Sequence, residues 1–351
     1  MQTSDHSNFI QFICEFPNQI SEAPSLIKNL DIKNLKKDYH QVVLTGMGGS
    51  AIAGDLLKSY LQDEFTIPFI INRNYSLPNF VGPKTLVIAC SYSGNTEETI
   101  DATETALDKK APVIGLSSGG TLEKLLTEKN LPFIKIPDGY PPRQALGYMF
   151  FPLLNLFQYL DLIQPKNDAI RETIKVLQEL RERNAPQTIH NHNLTRLIAQ
   201  KLYTKVPVVY TASELLYPVV TRWRNQFNEN SKVLAFSNVL PELNHNEIMG
   251  WEAPREVLEK FNILFLRDQS ELSRNKIRLK ITKDIFQKNN VPIFEIFGEG
   301  KGLLARIFSL IYIGDWVSYY LALLYEKDPF KIDSIQFLKD SLSKFKDDVK
   351  V

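Results

Sequence analysis

Between Gln41 and Ile136, short apolar runs alternate with amphipathic stretches, and this rhythm limits what the chain can fold into more than any other feature. "QVVLT", "TIPFIIN", "TLVIACS", "PVIGLS" and "PFIKIP" read as strands. Ser50–Leu61, Asn95–Leu107 and Thr121–Lys129, between several of them, carry helical spacing. Such alternation builds a doubly wound parallel sheet, whose ligands sit at the carboxyl ends of its strands. The Pro-rich turn "IPDGYPPRQ" closes this unit, and helical patterns run on to about Tyr203. A second series, "VPVVYT", "KVLAFS", "NILFLR" and "VPIFEIF", follows and is ended by long helices to Val351. The expected architecture is α/β with two subdomains, residues 1–160 and 161–351, although the second series has no obvious glycine turn.

The bulk properties narrow the function classes. At 351 residues the chain can bury a substantial core. Its formal charge of +1 gives no electrostatic case for nucleic acid or an anionic membrane as main partner, while small anions stay open. Only Cys14 and Cys90 are present, which fits a reducing cytoplasm better than a disulfide-stapled secreted fold. The N-terminal stretch lacks the basic start and apolar run of a signal peptide. Gln144–Leu160 and Gly302–Glu326 come near to membrane spans. Pro152, Asn155 and Gln158 interrupt the first and Arg306 and Asp315 sit inside the second, so both read as core or interface helices.

Two loops carry candidate chemistry. In "TGMGGSAIAG", after the first strand, Gly46, Gly48 and Ala51 match the spacing of a dinucleotide-binding turn, where glycines let backbone approach a phosphate at a helix start. In "CSYSGNTEET", after the strand ending near Cys90, Ser91, Ser93 and Thr96 place three hydroxyls around Gly94 at another helix start. Hydroxyl donors and free helix-start N–H groups together suit a terminal phosphate with its three oxygens. A plain helix cap at Ser93 or Asn95 is the simpler alternative for this loop alone. Dinucleotide binding also expects an acid at the end of the second strand. Here Asn72 and Arg73 stand in that place, which disfavours NAD and leaves Arg73 as a ligand for the extra phosphate of NADP.

"GMGGSAIAGDL", "SYSGNTEET", "PPRQALGYMF", "RWRNQFNENSK" and "LPELNHNEIMGW", in this order, resemble the bifunctional phosphoglucose/phosphomannose isomerases of the sugar isomerase (SIS) superfamily. The likeness runs from about Val42 to the C-terminus. It implies two SIS-type subdomains, flavodoxin-like and doubly wound, in a cytoplasmic homodimer with shared active sites and no metal or redox cofactor. The implied reaction interconverts glucose 6-phosphate, and mannose 6-phosphate, with fructose 6-phosphate. Gly48, Gly49, Ser50, Ser91, Ser93 and Thr96 would bind the phosphate, and Glu229 would be the base. That role suits a carboxylate kept out of water, since it must lift a proton from C2 and return it at C1. Arg143 would stabilise the enediolate, being protonated throughout. His245, supplied by the neighbouring subunit, and Lys339 on the last helical segment would serve ring opening. Many family members carry Thr after the late Asp-Pro where this chain reads Asp328-Pro329-Phe330, a departure that bears on mannose 6-phosphate.

Two other functions compete. A non-catalytic SIS module that senses a sugar phosphate needs the loops but not Glu229, Arg143 or His245, and an NADP-linked oxidoreductase needs a nicotinamide site. His190 and His192 have a His-x-His spacing without an evident third ligand. Cys90 has no base partner in sequence and reads as a buried strand thiol.

Overall fold

A computed structural model of the chain describes residues 5–28, 30–31, 35, 38–189 and 192–345. Two short helices, α1 (Phe9–Cys14) and α2 (Phe16–Ile27), precede the first sheet unit. That unit runs β1 (Gln41–Thr45), α3 (Gly48–Tyr60), β2 (Phe69–Asn72), β3 (Thr85–Cys90), α4 (Glu97–Asp108), β4 (Val113–Ser117), α5 (Gly120–Glu128) and β5 (Phe133–Lys135). Helices α6 (Leu146–Tyr159), α7 (Asn167–Asn184) and α8 (Leu194–Leu202) lead to the second unit. There β6 (Val206–Thr211), α9 (Tyr217–Gln226), β7 (Phe236–Val239), α10 (Arg255–Leu258), β8 (Phe261–Arg267), α11 (Ser273–Lys288) and β9 (Ile293–Phe297) follow, before α12 (Leu303–Leu324) and α13 (Asp333–Leu342).

The two sheets are parallel, in the orders β2-β1-β3-β4-β5 and β7-β6-β8-β9. Both reverse winding direction beside their first strand, the switch point at which doubly wound sheets open a crevice for ligands. Thr45 pairs with Ala89 in register, so the loops after β1 and β3 leave the sheet side by side. β3 is buried at every residue, which is why it reads as an unbroken apolar run rather than an alternation.

Strand β7 starts at Phe236, later than the stretch "KVLAFS" suggests. The preceding residues are occupied by a π-helical turn, Phe227–Ser231, that prolongs α9 and ends at Lys232 with φ +57°. The Val233 N–H then donates back to the Phe227 carbonyl at 3.1 Å, so the chain cannot enter the sheet before that turn is complete.

Both near-membrane segments lie inside the fold. α6 is buried from Leu146 to Phe157. α12 is long and apolar enough to cross a bilayer by composition, yet 94% of its most apolar window is buried among the other helices. Its charges are paired there: Arg306 donates to Asp268 at 2.6 Å and Arg222 to Asp315 at 3.0 Å. Phe308 of α12 meets Phe150 and Phe151 of α6 at 4.8 Å between ring centroids, part of one apolar core that reaches both sheets. The N-terminal helices cover this layer. Gln19 of α2 donates to the Gln144 carbonyl at 2.7 Å, and the Ile13 carbonyl accepts from the Tyr312 hydroxyl at 3.0 Å.

Where α12 crosses α9, Gly314 faces the Trp223 indole, and a Cβ there would stand 2.5 Å from its Nε1. The ring cannot yield, because it is buried and its N–H donates to the Leu310 carbonyl at 2.8 Å. Gly314→Ala is therefore expected to cost about 1–3 kcal/mol by overpacking, read as a lower urea midpoint at unchanged slope.

Candidate active site

The two loops at the switch point are tied together by their own side chains. The Tyr92 N–H donates to Ser50 Oγ at 3.2 Å, which leaves the Ser50 hydroxyl proton for another acceptor. Ser91 and Thr96 share a hydrogen bond of 2.7 Å, and Ser91 Oγ also accepts from the Gly94 N–H at 3.1 Å. Ser93 stands exposed, its Oγ accepting from the Asn95 N–H at 3.3 Å. Gly94 has φ +68°, and a Cβ there would fall 1.7 Å from the Gly119 carbonyl oxygen, so only glycine fits. α3 and α4 both begin without a side-chain cap, leaving backbone donors at two adjacent helix starts. The arrangement can hold a compact anion.

The turn Pro142–Gln144 abuts this pair of loops: a Cβ on Gly49 would stand 3.1 Å from the Pro142 carbonyl oxygen. Arg143, on that turn, is 4% exposed and held from three directions. Its Nε donates to Asn230 Oδ1 at 2.6 Å, and its Nη2 donates to the carbonyls of Pro329 at 2.6 Å and Phe330 at 3.3 Å. The guanidinium lies over the Phe9 ring at 5.3 Å, so α1 forms part of the wall. Nη1 points toward Glu229, 3.6 Å from its carboxylate. Burial draws the Arg143 guanidinium below its ordinary value, and the Glu229 charge opposes that shift.

Glu229 belongs to the π-helical turn rather than to a loop. Its side chain keeps 34% of its surface exposed, so a single chain leaves it partly open to water. The turn is anchored from beneath. Asn230 donates to Ser318 Oγ at 3.0 Å, Ser231 donates to the Ser318 carbonyl at 2.7 Å, and Gln226 donates to Asp315 at 2.6 Å. Arg222 spans Asp315 and the Arg143 carbonyl, which accepts from its Nη2 at 2.9 Å. Asp315 is drawn upward by burial against the pull of Arg222.

Family models match at two places: a SIS domain over residues 37–122 and the bacterial phospho-glucose isomerase C-terminal SIS domain over residues 191–342. A bifunctional phosphoglucose/phosphomannose isomerase from Caldicellulosiruptor bescii is 45% identical over 335 residues, 95% of this chain and 99% of that protein. The chain belongs to the bifunctional phosphoglucose/phosphomannose isomerase family. A member from Aquifex aeolicus is 35% identical over 90% of this chain and 94% of its own length. In fold, the chain superposes on a hypothetical protein from Thermus thermophilus with a TM-score of 0.78 at 15% identity, over 97% of this chain and 91% of the other.

Of the site residues expected for that family, a single chain gathers the loop residues in one cluster and Arg143 with Glu229 in another, with Gly49 against Pro142 joining the two. It does not gather His245 or Lys339. His245 stands exposed on the turn Glu242–His245, and Lys339 lies on α13, a helix with no buried residue. Neither hydrogen-bonds to the Arg143 cluster among the described residues. Arg73 is paired with Asp55 of α3, and a cleft of about 480 Å³, with Gly48 and Asn225 in its wall, opens beside that pair. Cys90 is fully buried and its thiol is pushed up by that burial. His190 lies outside the described residues.

Sequence reasoning missed Arg222, Asp315, Asn230 and Lys232. The available signal was a charge inside an apolar helix at Asp315 and polar residues on the inward face of α9. Removing one member of the buried Arg222–Asp315 pair strands the other in an apolar layer. Asp315→Ala is expected to destabilise the chain by about 3–5 kcal/mol, while the paired replacement Arg222→Met with Asp315→Leu recovers most of that loss in thermal unfolding.

Proposed function

We propose that this chain is an aldose–ketose isomerase that interconverts glucose 6-phosphate and mannose 6-phosphate with fructose 6-phosphate. The observation that carries the reading is the buried Arg143 guanidinium 3.6 Å from the Glu229 carboxylate, at the same strand ends as the uncapped starts of α3 and α4. A sugar phosphate held by Gly48, Gly49, Ser50, Ser91, Ser93 and Thr96 would present its far end, C1 and C2, to this pair. Glu229 takes the proton from C2, the electrons move onto the carbonyl oxygen as the enediolate forms, and the same carboxyl group returns the proton at C1. Arg143 faces the oxygens of the C1–C2 unit, where its fixed charge stabilises the developing anion. Its Nε and Nη2 are already committed to Asn230, Pro329 and Phe330, so it is oriented before substrate arrives.

The partly exposed Glu229 supports a site completed by a second copy of the chain. In this reading the partner covers the carboxylate and brings its own copy of the His245 turn for ring opening, and Lys339 joins from α13. Both residues are exposed in the single chain, which suits groups that work across an interface. Because glucose and mannose 6-phosphates differ only at C2, one enediolate serves both, provided that either face can be protonated.

A coupled assay for fructose 6-phosphate formation, run with both aldose phosphates, tests the reaction and its range. Glu229→Gln should lower kcat by about 10²–10⁴-fold with little change in KM, since the carboxylate acts in proton transfer rather than in holding phosphate. Binding of the sugar phosphates without turnover in either protein would return the chain to a sensing role.

A further inference from the structure

The π-helical turn that carries Glu229 ends at Lys232, and the ammonium of that lysine turns back into a set of carbonyl oxygens. Nζ donates to the Glu229 carbonyl at 2.7 Å and to the Asp328 carbonyl at 2.8 Å, with the carbonyls of Asn230 at 3.3 Å and Pro329 at 3.4 Å alongside. Two acceptors belong to the base-bearing turn and two to the segment between α12 and α13, 96 residues further along the chain. The Pro329 carbonyl is shared, since it also accepts from Arg143 at 2.6 Å. One end of the same segment is fixed by Ser7, which donates to Asp328 Oδ2 at 2.8 Å, and at its other end Phe330 packs against Phe12 at 6.2 Å between centroids.

We infer that Lys232 is a positioning residue for the isomerisation, clamping the Glu229 turn to the 328–330 segment and so fixing the distance between base and Arg143. The inference rests on the isomerase reading above. Without the ammonium, the carbonyls of Glu229, Asn230 and Asp328 lose the donor that joins them, and Pro329 keeps only Arg143. The 328–330 segment would then move away and carry with it the carbonyls that orient Arg143. Reacting groups that drift by about 1 Å lose up to about a hundredfold in rate, whereas phosphate binding at the loops is untouched. The clamp therefore acts on kcat.

The charged groups around the ammonium are Arg143 from the 142–144 turn, Glu229 from its own turn, Asp328 from the connecting segment and Asp333 from the start of α13. Loss of hydration, reinforced by Arg143, lowers the Lys232 ammonium to about 8 despite the opposing carboxylates. With a value of about 8 Lys232 keeps its proton at neutral pH, and as pH rises through about 8 it loses its charge and one of its three N–H donors, which weakens the clamp.

Three proteins decide the matter: the unsubstituted chain, Lys232→Met and Lys232→Arg. In Lys232→Met, kcat should fall about ten- to a hundredfold with KM within about threefold of the unsubstituted value, and backbone hydrogen exchange over 326–332 should quicken. Lys232→Arg, which keeps a donor of permanent charge, should recover most of kcat and remove the decline in kcat above pH of about 8 expected of the unsubstituted enzyme. Unchanged kcat and unchanged exchange in Lys232→Met would overturn the clamp. Absence of turnover in the unsubstituted chain would sink the isomerase reading instead, and the exchange of 326–332 still reports whether Lys232 holds the segment.

Discussion

The buried ion pair between Arg222 and Asp315 is the contact on which the rest of the site depends. The two side chains are only 4% and 3% exposed, in a layer where an unpaired charge would be expensive, so each exists there only because of the other. From that pair the organisation spreads outward in two steps. Arg222 holds the main chain of Arg143, and Asp315 holds Gln226, the last residue of α9 before the π-helical turn. The cation and the carboxylate that face each other at 3.6 Å are thus both referred to one point on α12. A helix apolar enough to span a bilayer carries this aspartate at the point where the two contacts meet.

The loops after β1 and β3 have a different origin. They follow from the parallel sheet itself: two adjacent strands, β1 and β3, end level with each other at the point where winding reverses, and each feeds a helix start that no side chain caps. Such a crevice is generic to the fold and can hold a compact anion whatever else the ligand carries. In the proposed isomerase, selectivity and chemistry would come from what surrounds it, namely the 142–144 turn, the Glu229 turn and the segment at 328–330. These three meet only because α6, α9 and α12 share one core with the N-terminal helices.

Much of the sheet architecture was legible in the sequence. Strands buried on both faces read as continuous apolar runs, and the loops after β1 and β3 announced themselves through glycine and hydroxyl residues at helix starts. The misreadings fall where a distant contact overrides local pattern. "FNENS" looks like a polar loop, but Asn230 and Ser231 are buried by bonds to Ser318, 88 and 87 residues away, and the polar run becomes a helical turn. The start of β7 slipped for the same reason. Lys232 gave no local sign of its role, since its acceptor at Asp328 is 96 residues downstream. His245 and Lys339 were reached through family resemblance alone, and neither hydrogen-bonds to Arg143 among the described residues.

The central claim is that Glu229 moves a carbon-bound proton through an enediolate, and the fate of solvent hydrogen tests it most directly. When fructose 6-phosphate is incubated to equilibrium with the enzyme in deuterated water, repeated transfer through a carboxyl group exposed to solvent between turnovers should place deuterium at C2 of the aldose phosphate and C1 of the ketose phosphate. Conversion that reaches equilibrium with no deuterium bound to either carbon would mean that hydrogen passes directly between them, and would contradict the account.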